Sequence, residues 1–178
     1  CEIRRTYDEK KQVVDESWYD EAGAPMPVGN TYVRITREYD EYGNVTVQRY
    51  YDAEGQLTPC KDGYAMVVRG YQAKGQMTSE AFFDTEEEPM LIAAGYAARK
   101  LELDAQGWVL GETYFGVDGQ PVLLGKGYAG YSRVPDENNN AAVLVYYGVE
   151  GERVVITDGY CEIRRTYDEK KQVVDESW

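Results

Sequence analysis

Tyr39-Asp40-Glu41-Tyr42-Gly43-Asn44-Val45-Thr46-Val47-Gln48-Arg49-Tyr50-Tyr51-Asp52-Ala53-Glu54-Gly55 holds two tight-turn signatures twelve residues apart, with a strand-like stretch between them. In each signature the Asp side chain can accept backbone N–H groups two residues on. The Gly three residues later supplies the positive φ that closes a hairpin turn. Val45 to Tyr51 is rich in β-branched and aromatic residues, as is Val33 to Tyr39 before it. The pair of turns predicts two antiparallel hairpin strands rather than a helix.

The same skeleton extends along the whole chain. Tyr32, Tyr64, Tyr96, Tyr128 and Tyr160 fall at a constant spacing of 32, four of them preceded by Gly63, Gly95, Gly127 and Gly159. Such self-similarity marks a repeat architecture. It predicts a single array over 1–178, with units 1–32, 33–64, 65–96, 97–128 and 129–160 and a partial unit 161–178. The fold class expected is all-β, with stacked hairpin units forming a solenoid or superhelical β-spiral. Asp40, Gly43, Asp52, Gly55, Gly119 and Gly151 are the turn formers. In the fifth unit Asn138-Asn139-Asn140 stands at the first turn, where Asn tolerates the left-handed conformation. A third, shorter strand is expected after the second turn, as at Gln120 to Leu124. Glu86-Glu87-Glu88 replaces the glycine of one second turn, so a different turn shape is expected there.

Residues 161–178 are identical to residues 1–18, whereas the 32-residue units share only their skeleton. An old duplication of the unit and a recent one of a five-unit block fit this pattern. So does an added half-unit that caps the last repeat or closes a ring. A 32-residue unit is too short to bury enough surface alone, since small domains become marginal below about 40 residues. Stacking is therefore required. The expected inner ladders are Ile3, Ile35 and Val67; Val13, Val45, Met77 and Val109; and Val28, Ile92, Leu124 and Ile156.

Before each second turn stand two adjacent aromatics: Trp18-Tyr19, Tyr50-Tyr51, Phe82-Phe83, Tyr114-Phe115 and Tyr146-Tyr147. Neighbouring strand residues point to opposite faces, so one ring of each pair suits a core. Either a thin fold packs both rings, or one row is left as an exposed ladder that stacks on sugars or on a protein surface. The candidate ligand-binding ladder is Trp18, Tyr50, Phe82, Tyr114 and Tyr146.

Composition narrows the function classes. The 178 residues carry a formal charge of −13, with 17 Tyr, 3 Phe and no His. That charge disfavours nucleic acid as a partner. The missing histidine excludes Ser-His-Asp and Cys-His nucleophile systems and most zinc sites. Uncharged runs are shorter than the roughly 18–20 residues a membrane helix needs, so no membrane insertion is expected. A regular stack offers no cleft for a carboxylate pair, and no Gly-rich phosphate loop is present. No enzyme activity, cofactor or metal is expected; Asx-turn chemistry accounts for the turn aspartates better than calcium binding does. Cys60 falls at the apolar position of Val28, Ile92, Leu124 and Ile156, and Cys1, Cys60 and Cys161 are expected to be free thiols.

The Tyr39-Asp40-Glu41-Tyr42-Gly43-Asn44-Val45-Thr46 and Tyr51-Asp52-Ala53-Glu54-Gly55-Gln56-Leu57-Thr58 segments resemble the YD repeats of rearrangement-hotspot and teneurin proteins. The stretch Tyr50 to Leu57 followed by Gly63-Tyr64 is similar to the aromatic-glycine hairpin repeats of choline-binding and glucan-binding proteins. These resemblances imply a non-enzymatic structural or adhesive repeat on a bacterial cell surface or outside the cell. Because the last unit copies the first, the stack is self-complementary head to tail, so the expected partners are like units or copies of itself in a longer array or filament. The second resemblance implies, as the alternative, a module that binds cell-wall polysaccharide or glucan.

Overall fold

In a computed structural model, described at every residue except Asn30, the chain forms twelve strands with no helix among the described residues. The all-β expectation holds at this level. Contacts divide the chain into two compact halves, Cys1–Ala93 and Ala94–Trp178.

The first half holds β1 (Glu2–Tyr7), β2 (Val13–Tyr19), β3 (Arg34–Tyr39), β4 (Val45–Tyr51), β5 (Met66–Ala73) and β6 (Gln76–Phe83). Each pairs antiparallel with its neighbour in sequence. In the second half β7 (Ala98–Leu103), β8 (Val109–Phe115), β9 (Gly130–Pro135), β10 (Ala141–Tyr147), β11 (Glu162–Tyr167) and β12 (Val173–Ser177) form a meander of the same kind.

Most turns are set by one aspartate oxygen, those opening at Gly116 and Gly148 being exceptions closed by backbone bonds to Gln120 and Glu152. Asp40 Oδ1 accepts the N–H groups of Tyr42 and Asn44, both at 2.9 Å, and Gly43 turns at φ 85°. Asp52 Oδ1 accepts from Glu54 and Gln56, with Gly55 at φ 80°. Gly119 and Gly151 adopt φ 73° and 81° in the corresponding turns. The Glu86-Glu87-Glu88 turn corrects an expectation. Asp84 Oδ1 accepts from Glu86 and Glu88 at 2.9 Å as elsewhere, and Glu87 itself takes φ 62°. The aspartate holds the turn shape firmly enough to force a non-glycine residue into the left-handed region, where its Cβ is crowded.

Among the described residues the third strand is also absent, reduced to single bridges such as Tyr19 to Pro25, Phe83 to Pro89 and Phe115 to Pro121. The bridges of Tyr51 to Leu57 and Tyr147 to Arg153 are equally short, so proline is not what limits the pairing. The segment instead closes with one bond to the preceding strand, as from Val122 N–H to the Tyr114 carbonyl at 3.0 Å.

Burial gathers one step past the repeated tyrosine. Val33, Ala65, Ala97 and Ala129 are buried, with Ile35, Met66, Val67 and Ile163 beside them. Val13, Val45, Met77 and Val109, expected as an inner ladder, are only half-buried. In each half the sheet leaves its hairpin ends wet, whereas the strand middles are covered by the loops that fold back over one face.

Candidate functional site

The five candidate ladder residues lie on the covered face. Cross-strand partners share a face of the sheet, and the register pairs Ile3 with Trp18, Ile35 with Tyr50, Val67 with Phe82 and Arg99 with Tyr114. Onto this face each loop delivers the tyrosine of its Gly-Tyr step. The turn that does so is closed by the N–H of Cys60 bonding the Tyr64 carbonyl at 2.8 Å, and by equivalent bonds from Val28, Leu124 and Ile156.

Strand rings and loop rings alternate. In the first half Trp18, Tyr32, Tyr50, Tyr64 and Phe82 form one run, with successive centroids 5.8, 4.8, 5.9 and 4.9 Å apart. In the second half Tyr96, Tyr114, Tyr128, Tyr146, Tyr160 and Trp178 form another, spaced 5.1, 6.1, 5.0, 6.1 and 6.4 Å. Edge-on and tilted arrangements at these spacings are the favoured ones for aromatic pairs. Tyr50, Phe82 and Tyr114 are 8%, 5% and 8% exposed, and Trp18 and Tyr146 are half-buried. The rings meet each other, and their faces are spent on that packing.

Backbone bonds fix the spacing. The N–H of Tyr50 bonds the Ala65 carbonyl at 3.0 Å, and the Ala65 N–H bonds the Phe83 carbonyl at 2.9 Å. Tyr114 and Ala129, with Tyr147, repeat the arrangement in the second half. These small residues, which sequence reasoning passed over, tie each strand to the next; their signal was the run Val33, Ala65, Ala97 and Ala129, each directly after the tyrosine.

Burial pushes the Tyr64 and Tyr114 phenols well above their ordinary range, with the neighbouring Tyr50 adding to the first and Glu112 to the second. Beside the spine run arginine–carboxylate pairs. Arg69 Nε lies 2.9 Å from Glu80, and Arg165 Nε 2.7 Å from Glu176. Glu112 accepts from the hydroxyls of Tyr114 at 2.9 Å and Tyr131 at 3.0 Å. That carboxylate borders an open hollow of about 380 Å³ in the second half, lined also by Glu102, Ser132 and Tyr147. Both its oxygens are already engaged, so it stands as a structural acceptor.

On the other face the second rings of two pairs meet arginine. Arg4 lies over Tyr19 at 4.1 Å and Arg34 over Tyr51 at 5.0 Å, while Arg34 also pairs with Asp15 at 2.6 Å. Cys60 is buried, Cys1 exposed, and all three thiols are free. Among the described residues no three His, Cys, Asp or Glu side chains gather as a metal site would require.

The two copies of the eighteen-residue sequence sit differently. Ile3 is 49% exposed and Ile163 2%; Trp18 is half-buried and Trp178 76% exposed. Among the described residues β1 pairs only with β2, and β12 only with β11.

No family model and no curated protein matches this chain.

Proposed function

We propose that the chain is a non-enzymatic structural module, an extracellular or cell-surface scaffold built from stacked 32-residue hairpin units, whose ends are suited to continue into like units. The observation that carries this reading is the aromatic run. The chain invests its largest apolar side chains in contacts between one hairpin and the next, as a stack must when no single unit can bury enough surface. Its charged residues pair locally along the same rows. A carbohydrate-binding ladder would instead turn ring faces to solvent, and Tyr50, Phe82 and Tyr114 are buried.

The test is retention on an array of cell-wall and storage glycans. The scaffold reading expects none. Glycan retention by the intact chain, lost in a folded Tyr50→Ala, Tyr114→Ala variant, would overturn it in favour of polysaccharide binding.

A further inference from the structure

We infer that the open edge of β12 is a docking strand for β1 of a second copy of this chain, the two pairing antiparallel in one defined register. The inference rests on the scaffold reading and names its partner and contact surface.

Two pairings within the molecule specify the register. In the first half β2 pairs with β3, placing Asp15 opposite Thr36, Glu16 opposite Ile35 and Ser17 opposite Arg34. In the second half β10 pairs with β11, placing Val143 opposite Arg164, Leu144 opposite Ile163 and Val145 opposite Glu162. β12 has the sequence of β2, and β1 has the sequence of β11. Transferring either pairing gives the same junction: Asp175 opposite Arg4, Glu176 opposite Ile3 and Ser177 opposite Glu2.

Two contacts at that junction are complementary and one is not, since Glu2 takes the place from which Arg34 pairs with Asp15 and so lies diagonal to Asp175. Asp175 and Glu176 on one edge meet Arg4 and Arg5 on the other, and the Arg37–Glu16 pair at 3.9 Å shows how Arg5 would reach Glu176. Tyr39 donates its hydroxyl to the Val13 carbonyl at 2.8 Å, and Tyr167 to the Ala141 carbonyl at 3.0 Å. By the same offset Tyr7 would donate to the Val173 carbonyl across the junction. Docking would also take Ile3 from its exposed state toward that of Ile163, and bring it diagonally beside Trp178. A row of unpaired backbone groups on a strand edge is a ready template for another chain, and a head-to-tail contact that does not close extends into a filament.

Light scattering of the full 178-residue chain across a concentration series at physiological salt tests this, with far-UV circular dichroism confirming the fold of each variant. The average mass should rise with concentration. Asp175→Arg alone and Arg4→Asp alone should each weaken association by about fivefold, the scale of one partly exposed ion pair. The double variant should recover it, because each copy then presents the swapped pair to the next. A chain monomeric at every concentration would overturn the junction and leave the scaffold reading standing on its glycan test. Association that survives both single substitutions, or that the double variant does not restore, would also overturn the junction. Both variants lie on exposed edge strands, so the fold should tolerate them.

Discussion

Ile3 and Ile163 are the same residue of the same eighteen-residue sequence, yet Ile3 is 49% exposed and Ile163 2%. The difference is the neighbour: β10 packs against β11, and no described strand packs against the outer side of β1. Identical local sequence thus supplies an internal control for what a neighbouring hairpin contributes. Ile163→Ala should cost about 2–5 kcal/mol, the usual range for emptying a buried isoleucine site. Ile3→Ala should stay within about 0.5 kcal/mol. Urea unfolding midpoints of the two variants check this.

Tyr50 and Tyr51 give a second contrast one residue apart. Tyr50 sits in the aromatic run between Tyr32 and Tyr64, whereas Tyr51 lies on the opposite face under Arg34. Tyr50→Ala should destabilise by about 3–5 kcal/mol and Tyr51→Ala by about 1 kcal/mol, measured by the same unfolding assay.

Much of this was legible in the sequence. Asp40 and Gly43, or Asp52 and Gly55, specify a turn through contacts spanning four residues, so local reading found them. The strand character of the stretches between was equally local. Alternation placed Tyr50 and Tyr51 on opposite faces but could not say over which face the following loop would fold; that depends on Tyr64, fourteen residues on. For the same reason Trp18, Tyr50, Phe82, Tyr114 and Tyr146 were marked as a ladder without its second set of rings. Ala65 and Ala129 carried no hydrophobic signal, since what makes them central is the closeness of backbone they permit. The apolar residues of Gln120 to Leu124 suggest a strand, yet the segment meets the preceding strand at a single bridge, Phe115 to Pro121, as do the units with Leu57 or Arg153 there, and nothing local signals that brevity.

Glu87 stands at φ 62°, where most other turns place glycine and, among the described residues, only those at Lys11, Asn139 and Lys171 do not. A non-glycine residue there is strained by about 1–2 kcal/mol, partly offset by the greater chain entropy glycine must lose. Glu87→Gly should therefore stabilise the fold by about 0.5–1 kcal/mol. Gly55→Ala, at φ 80°, should destabilise it by about 1 kcal/mol. Thermal midpoints shifting in opposite directions are the expected result.

The phenols give a pH dependence. Burial raises Tyr64 and Tyr114 above the ordinary tyrosine value of 10.0, with Tyr50 adding to the first and Glu112 to the second. The folded state therefore holds these protons more tightly than the unfolded chain does. The resulting stability is complete below pH 10.0 and drains away as pH rises beyond it. The tyrosinate absorbance of Tyr64 and Tyr114 should appear only as circular dichroism reports unfolding. A single smooth titration completed with the fold intact would contradict the burial of the run.

The thiols should separate in the same way. Cys1 is exposed and Cys60 buried, so a thiol reagent should modify Cys1 in the native protein and Cys60 only after denaturant is added. Peptide mapping of the labelled chain distinguishes them.

The central claim is that hairpins are stabilised by the hairpins beside them, through a run of rings that any further unit would extend. Joining residues 1–160 in front of residues 1–178 in one chain, and comparing its thermal unfolding with that of the 178-residue protein, tests this most directly. The account predicts a higher midpoint and a sharper transition for the longer chain. An unchanged midpoint, with the added block melting as an independent domain, would contradict it.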